Sequence, residues 1–153
     1  MMSETGLSDL TSRWIDKLQE NGYRLTDPRR AVVETMANSR YVLSPMEVHQ
    51  QACKLHKKLG LVTVYRTLEK LEQLQLIQRV HRPSDCQAFV ASPPGHKHLL
   101  ICECCGRVDY FNGDPAAMEQ FIAKVGSRSG YRVKNHWLQL FGRCTACQEK
   151  TSS

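Results

Sequence analysis

Apolar residues recur every three or four positions through the first half of the chain, then at every second position in parts of the remainder. Leu7, Leu10, Trp14 and Leu18 follow the first rhythm and predict an amphipathic helix over about 8–20, stopped by Asn21-Gly22. Val32, Val33 and Met36 mark the buried side of a second helix, opened by Thr26 or Asp27 as cap with Pro28 in its first turn. Ser44-Pro45-Met46-Glu47 has the spacing of a capping box. The third helix it opens carries the stripe Val48, Ala52, Leu55 and Leu59, and Gly60 ends it. Leu61 to Leu74 forms a fourth helix with Val64, Leu68 and Leu71 inward, which leaves Thr63, Tyr65, Arg66 and Lys70 outward.

The period changes to two at residues 76–91, where Pro83-Ser84-Asp85 interrupts the alternation, and this predicts a β-hairpin. With Pro83-Ser84 as the turn, His81 and Cys86 face one another, roughly 5 Å apart at Cβ. A short helix, a Gly-containing turn, a second helix and a hairpin make a winged helix spanning 1–91. Ser92-Pro93-Pro94-Gly95 reads as the linker over 92–95. Beyond it His96 to Cys102 predicts a strand, with His96, His98, Leu100 and Cys102 on one face, and Arg107 to Phe111 a second. Asp114-Pro115 caps a helix with Met118, Phe121, Ile122 and Val125 inward, and Tyr131 to Phe141 forms a strand in which His136 shares a face with Leu138 and Leu140. The architecture expected is α+β, with a β-β-α-β domain over 96–148 and a disordered tail over 149–153.

Composition adds chemistry. The net charge of +6 favours a polyanionic partner, but the excess is spread over both halves and locates no binding face. Seven cysteines is an odd number, and four of them stand as Cys102-x-x-Cys105 and Cys144-x-x-Cys147. A two-residue spacer lets one turn present two thiolates to the same ion, and two such pairs complete a tetrahedral, closed and structural Zn²⁺ site. The thiols argue for a reducing compartment; no apolar run is long enough to span a membrane and the first residues do not form a signal peptide, so a cytoplasmic protein is expected. A domain as small as 96–148 needs that zinc and a dimer partner to hold together. His49, Cys53 and His56 share a helix at ligand spacing, but nothing nearby completes a site; Cys53 and Cys104 are left out of the ligand sets.

The segments Arg24-Leu-Thr-Asp-Pro-Arg29, Thr63-Val-Tyr-Arg66-Thr-Leu68, His96-Lys-His98-Leu-Leu-Ile-Cys102-Glu-Cys-Cys105-Gly, Asn135-His136 and Cys144-x-x-Cys147 together resemble the ferric uptake regulator family, in family order and over about residues 8–148. The resemblance implies an N-terminal winged-helix DNA-binding domain, a C-terminal dimerisation domain, and a homodimer that represses metal-uptake genes from double-stranded operator DNA when a regulatory metal is bound. Tyr65 and Arg66 match recognition-helix contacts, with Thr63 beside them. Arg24 matches a minor-groove residue and Arg29 a backbone contact. The four cysteines match the structural zinc site, and His96, His98, Glu119 and His136 a regulatory metal site.

Two departures bear on which metal is sensed. Tyr41-Val42-Leu43-Ser44 stands where many iron and peroxide sensors of the family carry a histidine, and Lys97 and Leu99 replace further histidines. The hairpin instead offers His81 and Cys86, and a hairpin cysteine resembles the zinc-sensing branch. A thiolate softens a site toward Zn²⁺ over Fe²⁺ or Mn²⁺. The expectation is a regulatory Zn²⁺ held by His81, Cys86, His96 and His98 or an acidic group, with an iron-responsive or peroxide-sensing regulator as the alternative. A metal-dependent hydrolase built on the same histidines lacks any H-E-x-x-H or nucleophile motif, so no enzyme is expected.

Overall fold

Caps and apolar periodicity coincide where the helices after Thr26, Ser44 and Asp114 begin. The computed structural model describes residues 4–81, 87–93 and 95–151, and the chain divides into two units, Met1–Ser92 and Pro93–Ser153. In the first, α1 (Glu4–Glu20) buries Trp14 and Leu18 and stops before Gly22, whose φ of +78° suits a residue without Cβ. α2 (Asp27–Asn38) is capped by Thr26, whose side chain accepts from the Arg29 N–H, and buries Val32, Val33 and Met36. α3 (Pro45–Ala52) carries both bonds of the capping box: Ser44 N–H donates to the Glu47 carboxylate at 2.7 Å and Glu47 N–H to Ser44 Oγ at 3.3 Å.

α3 ends seven residues before the end of its predicted stripe. The chain tightens into i→i−3 bonds, Lys54 N–H to Gln51 O and Leu55 N–H to Ala52 O, and Leu55 is 58% exposed. Unwinding turns Lys54, Lys57 and Lys58 to solvent and still buries Leu59, whose carbonyl lies 2.9 Å from His49 Nε2. Gly60, expected to end α3, is the N-cap of α4 (Leu61–Gln73), which buries Val64, Thr67, Leu68 and Leu71.

β1 (Ile77–His81) and β2 (Gln87–Ala91) pair antiparallel as the predicted hairpin. Leu43 exchanges both backbone bonds with Phe89, and Ile77 and Ala91 join the same core, so burial fixes the register. That register sets Gln87 opposite His81, which corrects the expected His81–Cys86 opposition; Cys86 itself lies outside the described residues. Arg79 grips the Glu72 carboxylate with two bonds of 2.6 and 3.0 Å and ties the hairpin to α4.

In the second unit β3 (His98–Cys102) runs centrally, with β4 (Val108–Phe111) antiparallel on one side and β5 (Gln139–Gly142) parallel on the other. α5 (Pro115–Ser129) is the crossover between β4 and β5, capped by Asp114 and closed by Gly130 in the left-handed region, and α6 (Thr145–Thr151) follows. The β-β-α-β order is as predicted, but several boundaries move. His96 precedes the strand, residues 131–138 are not strand, and residues 149–151 belong to α6 rather than to a disordered tail. The predicted inward stripe of α5 buries no residue, and Phe121 is 63% exposed. This unit's own core is small: Leu99, Ile101 and Val108 beside Cys102 and Cys147.

Candidate metal centres and nucleic-acid interface

Parallel pairing of β3 with β5 sets Leu99 against Gln139 and Cys102 against Gly142, an offset of 40 residues. The residues just before the two strands are therefore brought together, and so are those just after. His96 and His136 differ by the same 40 and meet before the strands, where Leu99 N–H also donates to Leu138 O. Cys102, Cys105 and Cys144 gather at the far end, joined by Cys147 from α6. The extended strand from His98 to Cys102, roughly 13 Å long, separates the two groups.

The four thiols lie within 4.8 Å of one another. Bonds of about 2.3 Å to a tetrahedral Zn²⁺ place two sulfurs about 3.8 Å apart, and Cys105 Sγ is 3.8 Å from Cys144 Sγ. Backbone supports the sulfurs: Cys144 N–H points to Cys102 Sγ at 3.4 Å. Hydrogen bonds from the backbone of Cys144, then of Cys105, draw the Cys102 thiol down to about 6 against the opposing effect of burial. Cys147 is pushed up, first by its contact with the Cys144 thiol and then by Cys104. Such a set holds its protons unequally, and a dication replaces them all. The donors and spacing fit a closed structural ion. Cys104 is exposed and outside the group.

His96, His98 and His136 form the second group, again with ligand atoms within 4.8 Å. His96 Nε2 and His136 Nε2 are 3.0 Å apart, near the roughly 3.3 Å of two imidazoles on a tetrahedral ion. His98 is buried, and desolvation, followed by the proximity of His136 and His96, lowers its pKa, which keeps the ring in the neutral form that binds metals. Phe111 packs beside it with ring centroids 5.4 Å apart. Gly113 leaves it room: a Cβ there would stand 3.2 Å from His98 Cδ2 and Nε2. Sequence reasoning missed Phe111 and Gly113, because their roles depend on the fold of one loop against one ring. Glu119 sits exposed on α5 and is not part of this group. His81 ends β1 in the first unit and is exposed.

On α4 the structure exposes Tyr65 and Arg66, while Thr63 is half-buried and its carbonyl accepts from Thr67 Oγ1. Lys70, expected outward, lies over the Tyr23 ring, 4.4 Å from its centroid. Arg24 is exposed between α1 and α2. Arg29 is half-buried and donates from Nη1 to the Arg24 carbonyl, so it braces the loop that presents Arg24.

The model of the ferric uptake regulator family matches residues 20–141. The chain belongs to the ferric uptake regulator family. The ferric uptake regulation protein of Cupriavidus metallidurans is 33% identical, over 84% of this chain and 89% of that one. Its Neisseria meningitidis serogroup A counterpart is 27% identical over 89% and 94%. Among solved structures, the Vibrio cholerae ferric uptake regulator is 28% identical with a TM-score of 0.65, covering 83% of this chain and 96% of that one. A zinc uptake regulator complexed with zinc and DNA superposes with a TM-score of 0.70 over 96% and 98%, and at 19% identity that likeness speaks to fold. The fold is thus an N-terminal winged helix of the DNA-binding kind followed by a dimerisation-type domain, and the chain is a metal-responsive transcriptional regulator. Among the described residues no helix is long and apolar enough to cross a membrane.

Proposed function

We propose that the chain is a dimeric, zinc-dependent repressor of metal-uptake genes that binds a palindromic operator when its regulatory metal is loaded. The observation that carries this reading is the pair of donor clusters at opposite ends of β3 and β5, four thiols at one end and three imidazoles at the other. Closed thiolate sites are structural, whereas three imidazoles leave a position for a further ligand and exchange their ion more readily. Cys102, Cys105, Cys144 and Cys147 would hold structural Zn²⁺. His96, His98 and His136 would hold the regulatory ion, with Glu119, His81 and Cys86 as further ligands proposed from the sequence. A dication there supplies a cross-link between the residues preceding β3 and those preceding β5.

Homodimerisation is supported by the apolar surface the second unit exposes, Phe121, Tyr131, Trp137 and Leu140, which a second copy would cover. In the operator complex Arg24 enters the minor groove, Arg66 takes a phosphate or base edge, Tyr65 a thymine methyl or phosphate, and Thr63 and Arg29 support them. Zinc is favoured over iron by the sequence reading of the hairpin thiol and by the residues that replace histidines elsewhere.

Mild chelation of the full-length dimer tests this. Removal of the exchangeable metal should lower affinity for a palindromic A/T-rich duplex at least tenfold, while one zinc per chain and the dimer persist. Equal affinity before and after would overturn metal control. Restoration by free Fe²⁺ at lower concentration than free Zn²⁺ would overturn the choice of zinc and leave the regulator intact.

A further inference from the structure

Val62 is the most exposed large hydrophobic residue of the first unit among the described residues, at 64%. It occupies the first turn of α4, where a β-branched side chain lowers helix propensity and here buries little in return. A solitary surface hydrophobe needs no explanation by itself. Its direction is what distinguishes Val62. At about 100° per residue, Val64, Thr67, Leu68 and Leu71 centre the buried face of α4, and Val62 points within roughly 10° of the opposite direction. Arg66 points within about 30° of it, and Tyr65 is displaced by about 70°. The outermost ridge of the helix is therefore Val62, Arg66, Glu69 and Gln73, all exposed: one apolar residue at its N-terminal end and three polar ones behind it.

This inference rests on the reading of the chain as a DNA-binding regulator. A recognition helix brings its N-terminal residues against base edges. The apolar group on the floor of the major groove is the thymine C5-methyl. We infer that Val62 is a base-reading residue whose isopropyl group packs on the C5-methyl of one thymine in each half-site. It complements Arg66 one turn later on the same ridge, which reads by charge and hydrogen bonding. Losing such a contact costs about fourfold in affinity, the worth of one buried methyl-sized group.

The test uses metal-loaded, full-length protein and a duplex selected by it from random sequences, resynthesised with each thymine replaced singly by deoxyuridine. Deoxyuridine lacks only the methyl group. At one position per half-site the replacement should weaken the wild type about fourfold and leave Val62→Ala unaffected, and Tyr65→Ala should retain the penalty. Alanine is the better helix former and the site is open to solvent, so the variant keeps its fold. Indifference of the wild type to every replacement would overturn the assignment, as would a penalty that survives in Val62→Ala and vanishes in Tyr65→Ala. Failure of the loaded protein to select any sequence would instead remove the DNA-binding reading and this assignment with it.

Discussion

In the first unit Leu18, Met36, Val48, Leu68 and Leu71 are almost wholly shielded from water and belong to one cluster that reaches from α1 to Phe89 of the hairpin. In the second, Leu99, Ile101 and Val108 are shielded to a comparable degree, but Phe121, Tyr131, Trp137 and Leu140 face solvent and α5 buries nothing. About sixty residues cannot enclose much apolar surface. The contrast teaches that the winged helix is held by burial, whereas the domain after it leaves apolar surface open, which the proposed ion at its thiols and the proposed second copy would compensate.

The largest test of that contrast is Cys102→Ser. A structural zinc contributes on the order of 10 kcal/mol to a small domain, so the variant should lose the ion and hydrogen-exchange protection throughout 96–151. Protection in α2 and α4 should persist, and its simultaneous loss would show that the first unit does not stand by its own packing. Next in size is Leu68→Ala, a cavity in the shared cluster of the first unit, expected to cost about 2–5 kcal/mol in denaturant unfolding with no loss of zinc. Zinc release on that substitution would refute the separation. Smallest is Ser44→Ala, which removes one side of the capping box and should cost about 1 kcal/mol. Leu55→Ala is its control, within about 0.5 kcal/mol because Leu55 lies outside the core; a cost equal to that of Ser44→Ala would mean α3 extends to Leu59 after all.

What was legible in the sequence follows from how far its causes reach along the chain. Caps act over three residues, so Thr26, Ser44 and Asp114 were readable, and Cys-x-x-Cys spacing is equally local. The end of α3 was not, because its apolar spacing continues to Leu59 while the lysines beside it favour an exposed turn. The hairpin register was missed because it depends on burying Ile77, Phe89 and Ala91 in a core that also holds Leu43, bridged to Phe89 from 46 residues earlier. The α5 stripe was read correctly as apolar and wrongly as inward, since periodicity names a face without naming what covers it. The imidazole group was expected only through family resemblance. Its physical sign, the near-equal spacing of 40 residues between His96 and His136 and 39 between Cys105 and Cys144, becomes meaningful only once β3 and β5 are known to be parallel neighbours.

That shared alignment has an evolutionary corollary. A one-residue slip of β5 along β3 would dismantle the imidazole and thiol groups together, so the two cannot drift apart independently. Insertions within 97–101 or 137–141 would misalign one end against the other, whereas the last turn of α5, beyond Gly113, Asp114, Glu119 and Phe121, carries the chain across and is free to lengthen or shorten. The length variation tolerated among descendants of this chain should therefore concentrate around the end of its crossover helix.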